Sequence, residues 1–151
     1  MRYDYRRKRG RMMNERFLFR GKRKDNGAWV EGNLVYTRTT TLGVVTEIYT
    51  LEMSYEVIPE AIGQCTGLKD KNGKLIFEGD IVESRASENK EDWKRWVVQF
   101  TDGSFCFERE IPRKRKYKYE QNLLGIDNIE LYGLTVIGNV YDNLELLEVE
   151  I

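Results

Sequence analysis

Residues 61–82 constrain the fold of this chain more than any other stretch. They read Ala-Ile-Gly-Gln-Cys-Thr-Gly-Leu-Lys-Asp-Lys-Asn-Gly-Lys-Leu-Ile-Phe-Glu-Gly-Asp-Ile-Val. Gly63-Gln64-Cys65-Thr66-Gly67 is short and extended. Asp70-Lys71-Asn72-Gly73 is a turn, because Asn-Gly supplies the positive-φ backbone of a tight reversal. Leu75-Ile76-Phe77 returns as an apolar strand. Glu78-Gly79-Asp80 then redirects the chain into Ile81-Val82. Gly79 permits that bend, since a Cβ is strained at positive φ. A strand–turn–strand unit of this kind is marginal alone and needs further strands around it.

The flanking sequence supplies them. Arg16-Phe17-Leu18-Phe19-Arg20-Gly21 is aromatic-rich and strand-like. Lys24-Asp25-Asn26-Gly27 is a second Asn-Gly turn, and residues 28–36 read as the returning strand. Gly32 within it signals a bulge or a close backbone approach. Residues 37–41 read as a turn or hairpin tip, and residues 42–50 as another strand. Residues 52–61 have no clear pattern, and Pro59 is expected to end any helix or central strand there. Residues 84–92 read as a loop or one helical turn. Residues 93–100, the turn Thr101-Asp102-Gly103 and residues 104–107 form a hairpin, with Phe105 and Phe107 on alternate positions. A final strand is expected over residues 131–140. One helical turn follows at residues 142–147, with Asn143 as its N-cap. Short strands at this spacing predict a mostly β chain, a small barrel or sandwich with short helical turns.

Three segments are expected: a basic flexible arm at 1–14, an N-terminal β-hairpin region at 15–60, and a barrel core at 61–151. The core carries a charged excursion at 108–128. In 151 residues there are two prolines and no proline-rich linker. No apolar run approaches membrane-spanning length. The N-terminal charge has no apolar stretch behind it, as a signal peptide would. The expected location is therefore the cytoplasm. Cys65 and Cys106 sit in apolar strand contexts and read as reduced, partly buried thiols.

Net charge is zero, but the charges are segregated. Residues 1–24 hold eleven Lys or Arg against Asp4 and Glu15, leaving the remainder of the chain acidic by nine. Arg6, Arg7, Lys8, Arg9 and Arg11 crowd the arm. A second basic run is Arg113-Lys114-Arg115-Lys116-Tyr117-Lys118. From Val140 onward there are four acids and no base. Two readings follow. The cations attract phosphates, with nearby tyrosines stacking on single-stranded bases. Alternatively, the arm pairs with acidic surface on its own or a neighbouring subunit.

The chain has no histidine, which removes the commonest general base and metal ligand. Asp70, Glu78, Asp80 and Asp102 could meet at a barrel rim and hold a cation or exchange protons. Turn capping accounts for Asp70 and Asp102 more simply, and Glu78 and Asp80 flank a turn. Gly63, Gly67, Gly73 and Gly79 fit no phosphate-loop spacing. Trp29 reads as a core anchor. Trp93, Lys94, Arg95 and Trp96 combine aromatics and cations and form a candidate binding face. No catalytic residue, metal or cofactor is assigned, and no small-molecule substrate is evident.

Several segments resemble the YopX family. The central one is residues 62–82, with its glutamine, Thr-Gly-Leu, Asp-x-Asn-Gly, and an aromatic followed by Glu-Gly-Asp. Phe17-Leu18-Phe19-Arg20-Gly21-Lys22 and Gly27-Ala28-Trp29-Val30-Glu31-Gly32 resemble its N-terminal strand pair. Val97-Val98-Gln99-Phe100 with Asp102-Gly103-Ser104-Phe105 resembles its following hairpin. Val136-Ile137-Gly138-Asn139-Val140-Tyr141-Asp142-Asn143 resembles its C-terminal motif. Cys65, Phe77 and Leu144 depart from it. The resemblance covers most of residues 16–147. It implies an SH3-like barrel core in an intracellular protein of phages and prophages of Gram-positive bacteria, and it implies no activity. Fold alone supplies none. The expectation is a non-catalytic binding or self-assembly module, with host or phage protein, nucleic acid or a second copy as its partner.

Overall fold

The computed structural model of the chain describes residues 15–84, 88–90, 93–108 and 133–147. Among them lie nine strands: β1 (Phe19–Arg23), β2 (Trp29–Thr39), β3 (Gly43–Tyr49), β4 (Ser54–Lys69), β5 (Leu75–Phe77), β6 (Asp80–Ser84), β7 (Lys94–Thr101), β8 (Ser104–Glu108) and β9 (Thr135–Asn139). Short 3₁₀ turns at Glu15–Phe17 and Leu144–Leu147 complete the described elements. β1, β2, β3 and β4 pair in sequence, and β4 pairs back to β1. The four strands therefore close into a ring, and β5 adds to β4. The second sheet has the order β8-β7-β6-β9. The expectation of a mostly β chain built on a small barrel holds.

Closing so few strands forces the backbones together where strands change partners. β2 pairs with β1 through Trp29–Gly32, then with β3 through Asn33–Thr39. At the changeover a Cβ on Gly32 would lie 2.2 Å from the Tyr49 carbonyl oxygen. Gly32 is thus a close backbone approach, one of its two expected roles. Gly63 has the same function in β4, where a Cβ would lie 2.3 Å from the Glu78 carbonyl oxygen.

Pro59 does not end a strand. β4 runs through it, correcting the expectation. Val57 pairs with Arg23 and Ile62 with Gly21, so the register slips between them. Pro59 lies exposed in that slip, where β1 asks for no amide. The boundary expected between residues 60 and 61 also falls inside β4. The ring that closes is built from residues 19–69, so its last strand spans that boundary, and the second sheet is built from β6, β7, β8 and β9.

The turns use the residues the sequence marks for them. Gly27 and Gly73 have positive φ, and Asp102 with Gly103 forms a two-residue hairpin turn with φ of 52° and 82°. Gly79, at φ 84°, donates its amide to the Val98 carbonyl and accepts from the Val140 amide, tying β7 and β9 to the bend. Ile76, Val82, Trp96, Val98, Leu134 and Val136 form a buried cluster, with Leu68, Phe105 and Phe107 packed against it. Cys65 and Cys106 are free and buried. Burial pushes the Cys65 thiol up, so it stays protonated as a small hydrophobe. No helix among the described residues is long and apolar enough to cross a membrane.

Candidate interaction site

Arg20 and Asp80 join the ring to the second sheet. Arg20, on β1, is 8% exposed, and Asp80, on β6, is 1% exposed. Arg20 Nη1 lies 2.6 Å from Asp80 Oδ1, and Nη2 donates to the Glu78 carbonyl at 3.2 Å. The guanidinium sits 4.9 Å from the Trp29 ring centre and 5.0 Å from that of Phe77. The Phe77 amide donates to Asp80 Oδ2 at 2.8 Å. Burial pushes the Asp80 carboxyl up, against the opposing pull of Arg20 and that amide. Beside this pair, Asp142 accepts from Lys22 Nζ at 2.5 Å, Trp29 Nε1 at 2.7 Å and Asn139 Nδ2 at 3.2 Å. The Lys22 hydrogen bond, more than the others, holds the Asp142 carboxyl down at about 2. Tyr141 packs 5.6 Å from Trp29 and against Gly79. Three of the motif-bearing segments therefore meet with the Glu-Gly-Asp bend at one junction, where the Asp80 and Asp142 carboxylates have intrachain donors and Glu78 contributes its carbonyl.

The remaining candidate carboxylates are also structural. Asp70 Oδ1 accepts from the Asn72 and Lys74 amides, as turn capping requires. Its Oδ2 also accepts from the Val136 amide at 3.0 Å, which fixes β9 to the turn. Asp102 occupies the β7–β8 turn. No group of three or more His, Cys, Asp or Glu among the described residues is arranged to hold a metal ion.

The sequence-derived binding residues separate into three groups. Arg6, Arg7, Lys8, Arg9 and Arg11 lie outside the described residues, as do Arg113, Lys114, Arg115, Lys116 and Tyr117. Lys94 is exposed, and Trp93 is half-buried with the Lys90 ammonium 5.7 Å from its ring centre. Arg95 is engaged, donating to Glu83 Oε2 at 2.8 Å and to the Leu146 carbonyl at 2.7 Å. Trp96 is 8% exposed and belongs to the buried cluster, so the proposed aromatic face is corrected. Residues three apart along an extended chain point to opposite sides, and only one of the two tryptophans can face outward.

Four of the five cations in the described part of the N-terminal basic run pair with the chain's own acids, and the fifth, Arg16, lies over the Phe17 ring. Arg20 pairs with Asp80, Lys22 with Asp142, Arg23 with Asp25, and Lys24 with Glu56. A surface cleft of about 450 Å³ is lined by Arg23, Lys24, Asp25, Tyr55 and Glu56 among others, and both of its cations are paired in this way.

What remains open is the distal half of the β2–β3 hairpin. β1 stops at Gly32, and β4 reaches only Glu47–Tyr49 of β3. Residues 33–39 and 43–46 therefore form a two-stranded ribbon that no third strand flanks among the described residues. Tyr36 is 64% exposed, Leu42 77% and Val44 59%. Arg38 is the one charged side chain between Asn33 and Thr46. Tyr36 stands opposite Thr46, and Arg38 opposite Val44. Sequence reasoning expected a turn or hairpin tip at residues 37–41; β2 instead runs on to Thr39, and the unflanked distal half of the hairpin was missed. The signal was present: the β-prone stretch from 28 to 50 is far longer than the strand at 16–21 that it pairs with.

The YopX protein family model matches residues 18–148. The crystal structure of protein EF1440 from Enterococcus faecalis is similar over 86% of this chain and 96% of that one, at 25% identity and a TM-score of 0.56. Protein yopX from Bacillus subtilis is similar over 92% of this chain and all of that one, at 20% identity and a TM-score of 0.48. No curated protein matches the chain.

Proposed function

The chain belongs to the YopX family, and from that premise we propose that it is a non-catalytic interaction module that makes its contact through the β2–β3 ribbon. The reading includes a phage or prophage accessory role in the host cytoplasm. Two free, buried cysteines fit a reducing compartment. The observation that carries the reading is the exposure of Tyr36, Leu42 and Val44 on a ribbon projecting from the ring. Large apolar side chains gathered at one exposed place mark interaction surfaces.

A photo-crosslinking residue placed at Val44 tests it, with exposed Glu60 as the control position. The expected result in host cells is a discrete adduct from position 44 that Tyr36→Asp abolishes. No discrete adduct at 44, or the same adduct from 60, would sink the reading.

The charge layout favours one second reading, nucleic-acid binding. Six cations lie within residues 1–14, apart from those paired on the ring. Salt-sensitive binding of single-stranded DNA that disappears on removing residues 1–14 would support it. Binding unchanged by the truncation would exclude a role for these residues.

A further inference from the structure

We propose that the free edge of β2 over residues 33–39 pairs antiparallel with the same edge of a second copy, centred on Tyr36. This rests on the ribbon being the contact element and names its partner. The edge is seven residues long, roughly 24 Å at strand rise. Natural sheet edges are guarded by lysines, prolines, bulges or covering elements. Residues 33–39 contain no proline, lysine or acid. Their register with β3 is unbroken from Asn33↔Tyr49 to Thr39↔Gly43, so no bulge twists the edge away. β1 leaves that edge at Gly32, and no other described strand replaces it.

The edge is also complementary to itself. Centring on Tyr36 uses all seven residues. It sets Asn33 opposite Thr39, Leu34 opposite Arg38, Val35 opposite Thr37, and Tyr36 opposite its own copy. The one cation faces an apolar residue and lies diagonal to the second copy's Tyr36 ring, within reach of a cation–π contact. Moving the centre to Arg38 would oppose two like charges and shorten the overlap. Tyr36, Arg38 and Val44 share one face of the ribbon. The paired ribbons therefore make a four-stranded sheet on which the two exposed tyrosines become neighbours, with Val44 on the outer strand of the same face. Such a contact is small beside a standard interface, so association is concentration-dependent.

Sedimentation of the full chain across a wide concentration range tests this. Wild type should pass from monomer to dimer. Tyr36→Lys and Tyr36→Glu should each weaken dimerisation about tenfold, since each removes an aromatic pair and opposes like charges. An equimolar mixture of the two should recover it, because only the mixed dimer sets Lys against Glu. Circular dichroism should show both variants folded, as expected for a site this exposed. A wild type that stays monomeric, a Tyr36→Lys dimer as tight as wild type, or a mixture no tighter than either variant would overturn the pairing. A discrete Val44 photo-adduct with a mass other than twice the chain would leave the interaction reading standing and overturn this one.

Discussion

Asp80 holds its carboxylate where water does not reach, with Arg20 as its counter-ion. Removing one member of a buried pair leaves the other uncompensated and costs about 3–5 kcal/mol. Asp80→Ala and Arg20→Ala are each expected to lose stability in that range in chemical denaturation. The double variant Arg20→Met/Asp80→Leu should lose much less than the two single losses added, because it leaves no stranded charge. A double loss equal to that sum would show that the two groups act separately. Asp142 makes the opposite kind of prediction. Its folded carboxyl titrates at about 2, below the ordinary 3.8. The stability it contributes is therefore present above pH 4 and is lost as pH falls from there towards 2. Melting temperature measured over that window should fall more steeply in wild type than in Asp142→Asn. The group is partly exposed, so the difference should shrink in high salt.

At the scale of elements, the ring depends on glycine at a strand crossing more than on glycine in turns. Gly32→Ala would press a Cβ into the Tyr49 backbone, which cannot rotate away as a side chain can. A loss of about 1–3 kcal/mol or more is expected. Gly27→Ala meets nothing within 4 Å and pays only for its φ of +70°, about 1–2 kcal/mol. Thermal denaturation of the two variants separates crowding from backbone strain. Pro59 makes the converse case. Replacing it with Val adds an amide where β4 is slipping past β1, so the change should stay within about 0.5 kcal/mol. The Asn-Gly and Asp-Gly turns were legible because their chemistry is local. The slip at Pro59 was not, because whether an amide is needed there depends on a strand more than thirty residues away.

For the whole molecule, balanced net charge conceals how the charges are used. Arg20, Lys22, Arg23 and Lys24 are cations in a basic run by sequence, and by structure each has an acid of the same chain. Their pairing weakens a phosphate-binding role for that part of the run and directs attention to the ribbon. If the ribbon is the contact element, truncating the hairpin between residues 35 and 45 to a two-residue turn should leave the ring folded by circular dichroism and abolish the position-specific contact. The sequence by itself determined the mostly β character, the Asn-Gly and Asp-Gly turns and the segments that carry the family motifs. Side-chain alternation, positive-φ glycines and Asn-Gly pairs act over a few residues and are written locally. Only the tertiary structure decided that Arg20 meets Asp80, that Trp96 is core, and that Tyr36 and Val44 stand beyond the ring. Those outcomes depend on where β1 and β4 stop beside β2 and β3, and ring closure sets those limits across the whole chain.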